Sequence, residues 1–176
     1  KIYHGSGKPS TDPPSWSGKP EFDHCEKIDQ YLLSRNRTGR KAAGAESSPS
    51  KDSDHIDGKV ADAAIANLRQ LKQSSKPFFL AVGFRNPHMP FSAPVKYWAL
   101  YDRAKLARPQ NPRMPQGAPA IAAHQWPEAR GYTDIPGQGP MTVDKIAELR
   151  HGYYAATSFM DAQVGRVVAE LKRLGL

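Results

Sequence analysis

The chain has 176 residues, 39% of them hydrophobic, with 16 prolines and 14 glycines, which predicts one domain of ordinary size with long irregular connections. A net charge of +8 favours acidic partners such as nucleic acid, anionic glycans or lipid headgroups, unless it is simply a solvated basic surface. The single cysteine excludes a disulfide framework within the chain, and the longest apolar run, residues 78–84, is too short to span a membrane.

The first half of the chain is predicted to pass from loop to helix to strand. Residues 1–56 are rich in Gly, Ser and Pro and are predicted to be mostly loop, with 37–55 flexible. Apolar residues then recur at helical spacing from Asp57, which we take as the N-cap, to Leu71. The run FFLAVGF at 78–84 is apolar at every position, which predicts a strand buried on both faces of a parallel sheet.

The second half is predicted to contain a short helix, a long loop and a long helix. Val95, Trp98 and Ala99 share one face of the short helix, and residues 104–141 are a proline-rich loop. The long helix covers 142–174, starts at Thr142 or Asp144 and stops at Gly175. Its predicted apolar stripe consists of Ile146, Leu149, Tyr153, Ala156, Met160, Val164, Val167, Leu171 and Leu174. The pattern is α/β, with a helix–strand–helix unit at 57–103, and is typical of an internal part of a larger domain.

His88 is the first candidate functional residue. It follows the predicted strand, at the edge of an α/β sheet where ligands gather, and Pro87 and Pro90 on either side stiffen its loop. Such an imidazole can donate a hydrogen bond to an anionic oxygen. The spacing alone is also compatible with an ordinary surface turn.

Lys1 and His4, in KIYHGSG, form the second candidate pair. A lysine and a histidine side by side, followed by glycines, can bind an oxyanion. A solvated loop is the alternative interpretation.

Other polar residues carry weaker signals. His24 and Cys25 have no second pair at zinc-binding spacing, and nothing specifies a role for His124. His151 and Arg150 are expected on the polar face of the long helix, where Asp161 and Arg166 are structural pair-formers.

Three segments together resemble the sulfatase family, particularly its iduronate 2-sulfatase-like branch. These segments are KPFFLAVGFRNPHMPFSAPVKYWALYD, LRHGYYAATSFMDAQVGRVVAELKRLGL and the opening KIYHGSG. They occur in the family's order and cover most of the chain, leaving residues 9–55 and 104–141 as variable parts.

The resemblance implies an alkaline-phosphatase-like fold, with a central, mostly parallel mixed sheet flanked by helices, and hydrolysis of sulfate esters. It implies that Lys1, His4 and His88 are catalytic, with Lys1 and His88 also binding the substrate. It further implies a formylglycine nucleophile made within a C/S-x-P-x-R motif and a bound calcium ion. Cys25 stands in HCEKI and departs from that motif, so we expect the nucleophile and the calcium ligands outside these 176 residues, which alone should not turn over substrate.

Expected partners are a sulfated small molecule or glycan, with no nucleic acid and no membrane span. The chain shows no export signal, but the family favours a periplasmic, secreted or lysosome-like protein. Three alternatives stay open: a phosphoesterase or phosphonate hydrolase of the same superfamily, a pseudoenzyme, and a polyanion-binding module. The last would use the basic cluster RNRTGRK, with Arg35, Arg37, Arg40 and Lys41.

Overall fold

The structure is a computed structural model. It describes residues 12–18, 27–39, 41–106, 110–111, 113–122 and 128–176. Besides the helices and strands below, the described residues contain short 3-10 turns at Pro13–Ser15, Lys27–Gln30, Ser34–Asn36, Asp52–Asp54, Arg103–Lys105, Ala120–Ala122 and Ala129–Gly131.

Two parallel strands form the sheet of the described residues. Strand β1 (Ala45–Ser48) pairs with β2 (Phe91–Pro94), with Ala45 opposite Phe91. Helix α1 (Ile56–Leu71) lies between them in the chain, as the connection between parallel strands requires. The α/β prediction is therefore confirmed, but the prediction that 37–55 is flexible is wrong for β1.

The segment FFLAVGF was predicted to be a doubly buried strand, but the structure has neither a helix nor a strand at residues 78–84. Among the described residues this segment pairs with no strand. Leu80, Val82 and Phe84 pack against a cluster formed by α1 and the long helix, whereas Phe79 is 76% exposed. The two helices thus cover only one face of residues 78–84. The sequence did not reveal this, because the covered and uncovered faces both consist of apolar residues.

Helix α1 and the long helix α3 (Val143–Leu174) pack against each other through Ala61, Ala64, Leu68 and Val167. The predicted ends of α3 are confirmed: the Thr142 hydroxyl accepts from the Lys145 amide at 3.2 Å, and Gly175 is left-handed with φ 62°.

The buried face of α3 is rotated from the predicted stripe. Ala155, Phe159 and Gln163 are fully buried, whereas Tyr153 is 47% exposed. Small residues lie where the helix crosses the sheet: a Cβ on Gly152 would come within 3.0 Å of Phe91 and Trp98. The need for a close approach of the α3 backbone to the sheet, rather than the hydrophobicity of its residues, therefore determines which face of α3 is buried.

The core between the sheet and α3 includes helix α2 (Val95–Trp98). Trp98 is buried as predicted, together with Tyr97. Val95 is half exposed and Ala99 is exposed, so the predicted face of this helix is wrong for these two residues. In a helix of only one turn, adjacent residues such as Tyr97 and Trp98 can both face the core.

The N-cap of α1 is His55, not Asp57 as predicted. The His55 ring is 3% exposed, lies 2.8 Å from the Ser50 hydroxyl through Nε2, and packs 5.2 Å from the Phe159 ring centre. Burial lowers the pKa of His55 to about 4, although Asp52 and Asp54 act in the opposite direction. The ring is therefore neutral in the folded protein near neutral pH.

We expect His55 to make stability fall in mild acid. Unfolded His55 takes up a proton near pH 6.5 and folded His55 only near pH 4, so the unfolded state binds more protons between these values. The free energy of unfolding should lose up to about 3 kcal/mol as pH falls through that window. Urea unfolding of the full-length protein at several pH values, compared with His55→Gln, measures this loss; parallel pH dependences for the two proteins would contradict it.

Candidate functional site

The loop that carries His88 is anchored to the first turn of α1 by Asp57. The Asp57 carboxylate accepts the backbone N–H of Arg85 at 2.6 Å and of Asn86 at 2.8 Å. Asp57 is 1% exposed, and burial raises its pKa although these hydrogen bonds lower it. From the sequence, Asp57 was predicted to cap the N-terminus of α1. No local pattern indicates that its partners are the amides of Arg85 and Asn86, which lie much later in the chain.

Two contacts hold His88 on its loop, one through its backbone and one through its ring. The backbone N–H of His88 donates to the Arg85 carbonyl at 3.1 Å, and the ring Nδ1 lies 2.6 Å from the Met89 carbonyl oxygen. The peptide bonds before Pro87 and Pro90 are both cis. The side chain is 36% exposed, and its Nε2 lies 3.6 Å from Glu128 Oε1.

Glu128 belongs to the segment 128–135, here called the strap, which lies against residues 41–44 just before β1. The Lys41 ammonium donates to the Glu128 carbonyl at 3.0 Å, and the Thr133 amide donates to the Ala42 carbonyl at 2.9 Å. The Gly44 amide donates to the Asp134 carboxylate at 2.8 Å. These bonds place the strap beside the His88 loop.

Sequence reasoning missed Glu128. It lies in the proline-rich stretch 104–141, which was interpreted only as loop. The one available signal is general, since long loops in compact domains commonly carry functional residues.

Lys1 and His4 lie outside the described residues, as do His24, Cys25 and His124. His88 is therefore the one predicted catalytic residue among the described residues. That Lys1 and His4 lie close to His88 stays a prediction.

His151 is buried rather than on a polar face. Arg103 Nε donates to its Nδ1 at 3.3 Å, so Nε2 carries the proton and donates to the Trp98 carbonyl at 2.8 Å. Arg150 is partly buried, Asp161 is exposed, and Arg166 pairs with Asp62 of α1. These contacts assign His151 and Arg166 to packing.

The described residues do not fit a metal site. Nowhere in that part of the chain do three or more His, Cys, Asp or Glu side chains converge as metal ligands would. In the same residues, no helix has the length and apolar character needed to cross a membrane.

Comparison with known proteins identifies the class. The family model for sulfatases matches residues 11–176, so the chain belongs to the sulfatase family, with an alkaline-phosphatase-like α/β fold. This confirms the resemblance drawn from the three segments.

Individual relatives refine the comparison. The chain is 33% identical to iduronate 2-sulfatase of Homo sapiens over 190 residues, covering 100% of this chain and 34% of that protein. It is 31% identical to iduronate 2-sulfatase of Mus musculus, with the same coverage. It is 29% identical over 175 residues to the multifunctional alkaline phosphatase superfamily protein PehA of Trinickia caryophylli, covering 91% of this chain and 32% of that protein. The chain thus spans about a third of the length of these relatives.

Proposed function

We propose that the full-length protein hydrolyses sulfate esters and that His88 contacts the sulfate group. The observation that carries this proposal is the geometry of His88 within a sulfatase-family chain. Its loop is fixed by Asp57, its Nδ1 is engaged by Met89, and its side chain is partly exposed to solvent. A donor held in this way stabilises charge on an oxyanion without reorganising during the reaction.

Lys1 and His4 complete the proposed sulfate pocket. They match the family's lysine and histidine in KIYHGSG, and both supply N–H donors to anionic oxygens. We propose that a formylglycine nucleophile and a calcium ion serve the same pocket from parts of the protein outside these 176 residues.

The proposed substrates are sulfated glycans, and the proposed location is an exported or lysosome-like compartment. The relatives named iduronate 2-sulfatase support this substrate class, as does the net charge of +8, which attracts polyanionic substrates.

A phosphoester or phosphonate hydrolase is the second candidate, because PehA is named as multifunctional within the alkaline phosphatase superfamily. We expect the full-length protein to show a higher kcat/KM on 4-nitrophenyl sulfate than on 4-nitrophenyl phosphate, since its most similar named relatives above are sulfatases. Steady-state rates on both esters at one pH decide this. A preference for the phosphate would favour the second candidate.

A further inference from the structure

The hydrogen bonding of His88 restricts which of its protonation states can bind an anion. The Met89 carbonyl oxygen can only accept, so the Nδ1 that lies 2.6 Å away carries a hydrogen. In a neutral ring, Nε2 is then an acceptor. Nε2 becomes a donor only when the ring is an imidazolium.

The oxygens of a sulfate ester are acceptors. The Nε2 lone pair of a neutral His88 would therefore face a lone pair of a sulfate oxygen, which is repulsive. The imidazolium would instead donate a charge-assisted hydrogen bond to that oxygen. The proposed role of His88 thus requires a second proton on the ring, and the groups that face Nε2 decide how readily the ring holds it.

Glu128 is the acidic group that faces Nε2. Its Oε1 lies 3.6 Å from Nε2, and its side chain is only 30% exposed, so solvent screens the pair incompletely. We propose that Glu128 is a positioning residue for His88: its carboxylate beside Nε2 keeps the ring cationic for the proposed contact with the sulfate group. This inference rests on the proposed function, because it gives the proposed sulfate contact its charge.

The surroundings of Glu128 hold its position. The Lys41 ammonium donates to its backbone carbonyl, and the strap is bonded to residues 41–44. Lys41 also stacks over the Tyr132 ring, 5.0 Å from its centre. Glu128 therefore stays beside the His88 loop as long as the strap stays docked.

Other charged or titratable groups on the elements packed here are Lys41, Arg85, Arg130, Tyr132, Asp134 and Asp57. The Asp134 carboxylate is engaged by the Gly44 amide and by Lys145, and Arg130 donates to the Pro136 carbonyl. Burial raises the pKa of Tyr132, so its hydroxyl is neutral, and the Asp57 carboxylate is engaged by backbone amides. Lys41 and Arg85 are cations and oppose a charged imidazole. Among the groups placed by the structure around Nε2, Glu128 is thus the one that favours the imidazolium.

The test compares Glu128→Gln with the wild-type full-length protein by measuring kcat/KM on 4-nitrophenyl sulfate across pH. We expect the alkaline limb of the profile to move to lower pH, with little change on the acidic side. Asp161→Asn, which removes an exposed carboxylate on α3, is the matched control and should leave the limb in place. If Glu128→Gln instead lowers KM equally at every pH, Glu128 competes with the substrate and the proposal is overturned; an unchanged profile overturns it too.

A second measurement does not depend on turnover. In protein carrying ¹⁵N-labelled histidine, the His88 ring resonances, identified by their loss in His88→Gln, are followed as pH is raised. We expect them to change at lower pH in Glu128→Gln than in wild type, and an identical transition overturns the pairing. Absence of sulfatase activity in wild type would defeat the proposed function, while this titration would still decide whether Glu128 controls the charge of His88.

Discussion

Replacing His88 by alanine in the full-length protein is expected to lower kcat on an aryl sulfate by about 10²–10⁴-fold. The variant loses a donor that is already aligned, and water cannot replace it with the same orientation. KM should change less than kcat, because the bond gains most where negative charge develops during ester cleavage.

Folding should be nearly unaffected by the same change. The His88 side chain is 36% exposed, and its ring is hydrogen-bonded to the neighbouring Met89 carbonyl. The loop itself is held by the backbone bonds to Asp57, which alanine preserves. Thermal unfolding and circular dichroism of the purified variant check this, and a folded variant with an unchanged rate would remove His88 from the site.

The largest stability effect is expected from Gly58→Ala in the first turn of α1. A Cβ on Gly58 would lie 1.8 Å from the Asp52 carbonyl oxygen and 2.4 Å from its carbon. Both are backbone atoms, so no side-chain rotation relieves the overlap. We expect a loss of about 3 kcal/mol or more in the free energy of unfolding, although alanine is intrinsically the better helix former.

The turn that Gly58 contacts cannot move aside without further losses. The Asp52 carboxylate accepts from the Tyr97 hydroxyl at 2.7 Å and from the Gln163 amide at 3.0 Å, and it pairs with Lys96 at 2.7 Å. These side chains come from α2 and α3, so displacing Asp52 would disturb both helices. Displacing α1 instead would carry Asp57 away from the His88 loop.

Gly165→Ala is the matched control, because Gly165 is also helical but its added Cβ would meet no atom within 4 Å. It should stabilise α3 by up to about 1 kcal/mol. Urea unfolding of both variants measures the contrast. Similar effects for the two glycines would show that the packing at Gly58 is looser than its contacts indicate.

Local signals predicted the positions of the helices well, but not their buried faces, and predicted the sheet poorly. Thr142 and Gly175 mark the ends of α3 through chemistry within one turn, so they can be recognised in the sequence. Strand β1 reads AESS, which lacks β-branched and aromatic residues, and its Glu46 is buried because distant groups satisfy it. The Leu32 amide and the Asn36 side chain each donate to that carboxylate at 2.6 Å. No local pattern encodes such a partner set.

The candidate site also combines a residue that a short stretch of sequence reveals with residues that only the fold brings together. His88 could be selected from the sequence because the prolines around it and the family segment lie within a few residues. Asp57 and Glu128 reach His88 or its loop through the fold, so their roles follow only once α1 and the strap are placed beside that loop.

The parallel pairing of β1 with β2 also has a kinetic consequence. Ala45 and Phe91 are far apart in the chain, and the whole of α1 lies between them. Closing so long a segment costs entropy that is recovered only when the pair is formed, whereas α1 and α3 are built from contacts within a turn. Formation of the individual helices should therefore precede strand pairing. The loop of His88 leads directly into β2, so it should acquire its final shape only when that strand is paired.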